Sequence, residues 1–268
     1  MDLEDILSSN LAEKKTEKTL FGLRDVPSVA ARIGFYPVSV WLPNWEVVGK
    51  LKKLIGDFGQ TRDVKKKAKA YGYWKQQGRY RGSMDDISIF NPHLAQMILS
   101  AYAPEKARIY DPYGGGGTRG FIATAMGHKY YGVEIRKEEV DRIKMHQKSL
   151  GMDFEIACAD SSVFLPREKF DFSYTCPPYW NLEVYSELEG DTSAQPTYKE
   201  YLERTKMALV RTFEALEPNS LVVWVVGNFR DKQGNLIHLN GDIVQIAKEA
   251  GFALHDELIF WKKTTRDQ

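Results

Sequence analysis

Asp111-Pro112-Tyr113-Gly114-Gly115-Gly116-Gly117-Thr118-Arg119-Gly120 joins two runs of different pattern. Before it stands ARIYD (107–111), short, apolar and closed by an acid, which reads as a buried strand. After it stands GTRGFIATAMG (117–127), which reads as an amphipathic helix. A strand, a glycine run and a helix start make the loop at which open α/β sheets bind nucleotides. Consecutive glycines permit positive φ and bring bare backbone against a ligand. A tight turn without a ligand is the plainer reading, but it needs one or two glycines rather than four behind an acid. The loop has no Walker lysine, which weakens a nucleoside triphosphate reading.

Outward from this loop the same alternation continues. KYYGVE (129–134), FEIACAD (154–160), FDFSYT (170–175), SLVVWVVG (220–227) and LHDELIFWKK (254–263) read as strands. PHLAQMILSAYA (92–103), KEEVDRIKMHQKSLG (137–151), YKEYLERTKMALVRTFEAL (198–216) and DIVQIAKEAG (242–251) read as helices, two of them closed by glycine. Strand–helix alternation implies an α/β fold, a mostly parallel sheet with helices on both faces. Glu134 ends the second strand, where an acid accepts from ribose hydroxyls. Asp160 ends the third and is placed to accept from an adenine amino group. Either acid alone is more often a solvated strand end; their common register gives them weight. The fourth strand runs into Thr175-Cys176-Pro177-Pro178-Tyr179-Trp180. Two prolines stiffen the backbone and remove two N–H groups, leaving carbonyls beside an aromatic pair. Such a site stacks a planar base on Tyr179 and accepts its amine at the Pro177 carbonyl. A Pro-Pro turn capping a strand is the competing reading.

Together these motifs resemble the amino-methyltransferases that modify adenine N6 or cytosine N4 in DNA. That family carries an Asp-Pro-Phe-x-Gly-x-Gly-Thr cofactor loop and an (Asp/Asn/Ser)-Pro-Pro-(Tyr/Phe/Trp) catalytic loop, matched here by DPYGGGGT and CPPY. Phe90-Asn91-Pro92 looks like the segment that precedes the cofactor loop. CPPY followed by LEVYS (182–186) resembles phage and prophage DNA methylases, a setting that includes restriction-modification. The resemblance covers residues 88–265. It implies a Rossmann-like methyltransferase fold with an antiparallel C-terminal strand, and S-adenosylmethionine as cofactor. Asp111, Tyr113, Gly115, Gly117, Thr118, Glu134, Asp160, Phe90 and Asn91 would then bind the cofactor. Cys176, Pro177, Pro178 and Tyr179 would form the catalytic loop, with Trp180 and Tyr185 on the substrate. No metal is required.

Cys176 departs from the family pattern, because a thiol accepts hydrogen bonds poorly. Three roles fit it. The Pro177 carbonyl and another group share the amine, which is preferred; Cys176 is a nucleophile for carbon-5 pyrimidine methylation; or it is a small buried residue.

A base within a duplex must be flipped out to reach such a pocket. Loop 180–196 is long enough to close over it, but its four acids keep it off phosphates. Residues 50–82 suit phosphates better. They carry eleven cations against two acids, a net +9, interleaved with Tyr71, Tyr73, Trp74 and Tyr80. The whole chain sums to +1, so the remainder stands near −8. Lys65, Lys66 and Lys67 lie in this stretch; a solvated basic helix is the plainer alternative. Arg230, beyond the apolar strand, reaches a phosphate or braces Glu183. The expected organisation is an N-terminal extension, 1–87, contacting DNA, and a catalytic domain, 88–268.

The 268 residues are 43% hydrophobic, enough for a packed core. Cys158 and Cys176 are the sole cysteines, too few for a zinc cluster or disulfide scaffold. The acidic start MDLEDILSSN has no apolar leader, and no membrane-length apolar run occurs, so a cytoplasmic protein is expected. No target-recognition domain is visible, so sequence preference is short, relaxed or supplied by a partner; a homodimer stays open. Competing classes are an RNA or tRNA amino-methyltransferase, a non-catalytic DNA-binding partner and, third, a small-molecule methyltransferase.

Overall fold

A computed structural model describes residues 40–41 and 90–260, apart from 181, 183 and 232. The basic stretch 50–82, with Lys65, Lys66 and Lys67, and Glu183 lie outside the described residues. The elements in chain order are β1 (Val40–Trp41), α1 (Pro92–Tyr102), β2 (Arg108–Asp111), α2 (Thr118–Ala125), β3 (Lys129–Glu134), α3 (Lys137–Leu150) and β4 (Glu155–Cys158). Then follow β5 (Phe170–Thr175), α4 (Tyr198–Ala215), β6 (Leu216–Trp224), β7 (Phe229–Arg230), β8 (Leu236–Ile237), α5 (Leu239–Glu249) and β9 (Ile259–Phe260).

Five strands make the central sheet in the order β4-β3-β2-β5-β6, and every neighbouring pair is parallel. This is the 3-2-1-4-5 order of a doubly wound, Rossmann-like sheet, whose switch point falls between β2 and β5. The expectation of a mostly parallel sheet is met. Period-two alternation divides the core between the two faces. Ile109 packs in a cluster with α1 and α2 residues such as Leu99 and Phe121. Its neighbour Tyr110 packs in another with Phe170, Ala215 and Leu216. A third cluster joins α4 to α5 through Tyr201, Leu209, Leu239 and Ile243.

Helix termini follow the sequence closely. Asn91 caps α1, its side chain accepting from the backbone N–H of His93 (2.9 Å) and Leu94 (3.2 Å), with Pro92 in the first turn. Thr197 and Glu200 form a reciprocal capping box on α4. Gly151 closes α3 at φ 61°, a left-handed conformation that suits glycine.

Three details differ from expectation. The C-terminal strand is not antiparallel within the main sheet. Ile259–Phe260 pair in parallel with Val40–Trp41 in a separate two-stranded ladder. Residues 253–257 before it are exposed and irregular, so no long alternating strand forms to join β6. Strand β6 starts at Leu216 rather than Ser220, because a register shift between Phe170 and Phe172 absorbs Pro218 and the left-handed Asn219. Residues 229–237, to which the sequence assigns no element, form the antiparallel pair β7–β8. Two-residue strands are too short to show a period, and the turn rests on Asp231 accepting from the N–H of Gln233 (2.9 Å) and Asn235 (2.8 Å).

Candidate active site

The carboxyl ends of β2, β3, β4 and β5 bring Asp111, Glu134, Asp160 and Cys176 to one edge of the sheet. Asp111 is wholly buried. Its Oδ2 accepts from Arg119 Nε (2.6 Å) and from the Tyr130 hydroxyl (2.5 Å). Its Oδ1 accepts from the Tyr113 N–H (3.1 Å) and the Thr175 hydroxyl (2.6 Å). A lone buried carboxylate is costly, and Arg119, in the first turn of α2, supplies the counter-charge. Burial pulls the Arg119 guanidinium down in pKa, but Asp111 and Tyr130 outweigh it and the net shift is upward. Burial, then the Asp111 charge, pushes the Tyr130 hydroxyl well up. Arg119 also donates to the Tyr113 carbonyl and lies over the Phe90 ring at 4.9 Å. Phe90 in turn meets Tyr174 edge-on at 6.0 Å. Asp111 therefore fastens the pre-helix segment, the glycine loop and β5 to one point.

The glycine loop is pressed against β3, with the Gly114 N–H donating to the Val133 carbonyl at 2.6 Å. A Cβ on Gly114 would stand 2.9 Å from Ile156 Cδ1 and 3.2 Å from the Val133 oxygen. Gly115 differs. Its φ is +52°, and a Cβ there would meet nothing nearer than 3.7 Å. Glycine is held there by backbone conformation, and the space beside it is open to a ligand. Gly117, at φ 79°, precedes the buried Thr118 at the start of α2.

Glu134 is 8% exposed, and its Oε1 takes both the Arg136 N–H (2.9 Å) and Arg136 Nε (3.0 Å). Both donors meet one oxygen, which leaves Oε2 for ligand hydroxyls. Burial raises the Glu134 pKa above 4.5, against the lowering effect of Arg136. Asp160 Oδ1 accepts from the Ser162 N–H (2.9 Å) and hydroxyl (2.7 Å). Its Oδ2 accepts from Arg204 at 2.6 Å and keeps a second lone pair. Tyr113 reaches the Thr192 hydroxyl at 3.3 Å and Trp224 edge-on at 5.9 Å. Burial pushes its pKa up to about 12.

On the other side of the switch point, Tyr201 of α4 donates its hydroxyl to the Pro178 carbonyl at 3.1 Å. Tyr179 meets Phe229 edge-on at 6.4 Å, and Trp180 Nε1 donates to the Gln195 carbonyl at 2.9 Å. Cys176 is half-buried. Arg230 is exposed on β7 and donates to the Gly234 carbonyl at 2.7 Å. Tyr185, expected on the substrate, lies over the Arg136 guanidinium at 5.0 Å, beside Glu134. Asn91 stands at the start of α1 as its cap.

Sequence reasoning missed Arg119, Thr175, Tyr130, Arg136, Tyr201 and Arg204. Arg119 carried a local signal, a cation eight residues beyond the acid that ends β2. Tyr201 and Arg204 carried none, because their partners lie 23 and 44 residues away. Among the described residues, no cluster of His, Cys, Asp and Glu is placed to hold a metal ion. None of their helices is long and apolar enough to cross a membrane.

A family model described as DNA methylase matches residues 40–145. The match supports an amino-methyltransferase of the adenine-N6/cytosine-N4 class. No curated protein matches the chain. Among solved structures, a TehB-like S-adenosylmethionine-dependent methyltransferase from Corynebacterium glutamicum is 17% identical, covers 74% of this chain and 91% of its own, and has a TM-score of 0.46. A putative RNA methyltransferase, PH1948, from Pyrococcus horikoshii is 18% identical over 64% of this chain and 70% of its own, TM-score 0.42. TrmN from Thermus thermophilus is 19% identical over 50% of this chain, TM-score 0.39, and the match spans only 37% of TrmN. At such identities the likeness concerns the fold alone.

Proposed function

We propose that the chain is an S-adenosylmethionine-dependent methyltransferase that modifies the exocyclic amine of adenine or cytosine in DNA. One observation carries this reading. The glycine loop and the Cys-Pro-Pro-Tyr loop leave adjacent parallel strands at the switch point and are joined there by the 2.6 Å bond from Thr175 to Asp111. The DNA methylase match over residues 40–145 supports the substrate class.

The cofactor fits the residues present. Open space beside Gly115 admits it, Glu134 Oε2 accepts ribose hydroxyls, and the remaining lone pair on Asp160 Oδ2 accepts an adenine amine. When bound, the cofactor supplies a methyl already activated on a sulfonium, so little acid–base assistance is needed. The chain's share is positional, and orientation alone can contribute about 7–11 kcal/mol to such a reaction. Tyr179 stacks a flipped base. The Pro177 carbonyl holds the amine by one hydrogen and turns its lone pair toward the methyl. Tyr201, by holding the Pro178 carbonyl, fixes the peptide between them.

Transfer of labelled methyl from the cofactor to duplex DNA, run beside structured RNA, tests the reading. Label in DNA is expected. Label in RNA alone would move the chain to the RNA class, and label in neither, with cofactor bound, would leave a binding partner.

A further inference from the structure

After the catalytic tetrapeptide the chain turns back across the sheet edge. Residues 184–196 then touch all three strand ends on the far side of the switch point. At β3, Tyr185 lies over Arg136, whose Nε is bonded to Glu134. At β4, Gly190 sits so close that a Cβ there would stand 2.7 Å from Asp160 Oδ2 and 2.6 Å from Ile135 Cδ1. At the glycine loop, the Thr192 and Tyr113 hydroxyls share a hydrogen bond of 3.3 Å.

The segment is built rather than draped. Asp191 Oδ2 accepts from the Ser186 hydroxyl (2.7 Å), and Oδ1 from the Ser193 N–H (2.8 Å) and hydroxyl (2.5 Å). Gln195 donates to the Asp191 carbonyl at 2.8 Å, and the Ser193 hydroxyl takes the Tyr185 N–H at 3.3 Å. Asp191, Thr192 and Ser193 are buried. These three strand-end contacts fall on or beside Tyr113, Glu134 and Asp160, the residues assigned to the cofactor, while at its far end the segment accepts from Trp180 Nε1 through the Gln195 carbonyl.

We infer that residues 184–196 form a wall of the cofactor pocket, with Tyr185 and Thr192 serving the cofactor rather than the target base. The inference rests on the S-adenosylmethionine reading above. It gives Gly190 a reason, since any side chain would drive the wall off Asp160 and Ile135. It also fits the acids Glu187 and Glu189, which are exposed and would repel a phosphate backbone. The base is then left open on the side of Tyr179 and Phe229.

Calorimetry with S-adenosylhomocysteine, and separately with duplex DNA, tests this. Absence of binding by the native chain would remove the cofactor reading itself, and the wall with it. Given native binding, Tyr185→Ala and Gly190→Ala should each weaken S-adenosylhomocysteine by about tenfold or more, a loss of about 1.4 kcal/mol. Tyr185→Phe, which keeps the ring over Arg136, should restore affinity. Cofactor-free DNA affinity should stay unchanged throughout. In the native chain, S-adenosylhomocysteine should slow hydrogen exchange across 184–196, a readout that needs no variant to fold. Unchanged or tighter binding in both alanine variants, or exchange in this segment indifferent to the ligand, would overturn the inference.

Discussion

Thr175 donates its hydroxyl to Asp111 Oδ1 at 2.6 Å, and both residues are fully buried. The first ends β5 and the second opens the glycine loop. Their bond sets the distance between whatever the two loops hold. On the proposed function a base amine and a sulfonium methyl need close, in-line placement, so this bond belongs to the rate more than to either affinity.

Thr175→Val keeps the shape and removes the donor. A hydrogen bond to a charged group contributes about 1.5–3 kcal/mol, so a stability loss of that order is expected. Asp111 retains hydrogen bonds from Tyr113, Arg119 and Tyr130, which limits the loss. Turnover should fall by about tenfold, equivalent to ~1.4 kcal/mol of barrier, with S-adenosylhomocysteine affinity little changed. Thr175→Ser should recover most of the rate. Equal losses in rate and cofactor affinity would place the bond in the cofactor pocket instead.

Gly115→Ala tests the open space beside the glycine loop. The left-handed backbone costs an alanine about 1–2 kcal/mol, and on the proposed function the methyl points into the space the cofactor would fill. Gly127→Ala is the control, with φ +87° and nothing within 4 Å of the added carbon. Both variants should lose comparable stability in thermal unfolding, while cofactor binding is lost only at Gly115.

Glu134 predicts a pH dependence of opposite sign for stability and for binding. Burial holds its folded pKa above 4.5, so this group's contribution to stability is full below 4.5 and is lost as pH rises through the raised pKa. Ribose hydroxyls need the ionised carboxylate as acceptor. Cofactor affinity should therefore fall as pH is lowered through that same raised pKa. Glu134→Gln should bind more weakly and show little of this dependence. An unaltered titration in that variant would remove Glu134 from the pocket.

The parallel sheet was legible because β2 and β3 are each followed by a helix, and parallel pairing follows from that alternation. The glycine run and the two prolines were legible because they restrict or release the backbone in ways few other residues do. What Asp111 does was not legible. The same acid at a strand end serves a ligand or a buried arginine, and the choice depends on Arg119 and Tyr130 turning inward. Tyr185 is placed on the substrate by the family resemblance alone. The turn that carries it to Arg136 is made by Asp191 and Ser193, which look like ordinary loop residues. The partner of the last strand was equally hidden, since alternation names a strand but not the edge it joins.

The basic stretch 50–82 remains the proposed phosphate contact, on its charge of +9. Each neutralised phosphate contributes a slope of about −0.9 in log affinity against log salt. Replacing Lys65, Lys66 and Lys67 by alanine should flatten the slope by up to ~3 units, equally for all sequences. An identical slope in the triple variant would make the stretch a solvated face.

The chemical identity of the product tests the central claim most directly. DNA from cells expressing the native chain, digested to nucleosides and read by mass spectrometry, should contain N6-methyladenine or N4-methylcytosine. Cells expressing the Tyr179→Ala variant should lack both. 5-Methylcytosine in their place would mean that Cys176 acts as a nucleophile, and would contradict amine methylation at the Pro-Pro-Tyr loop.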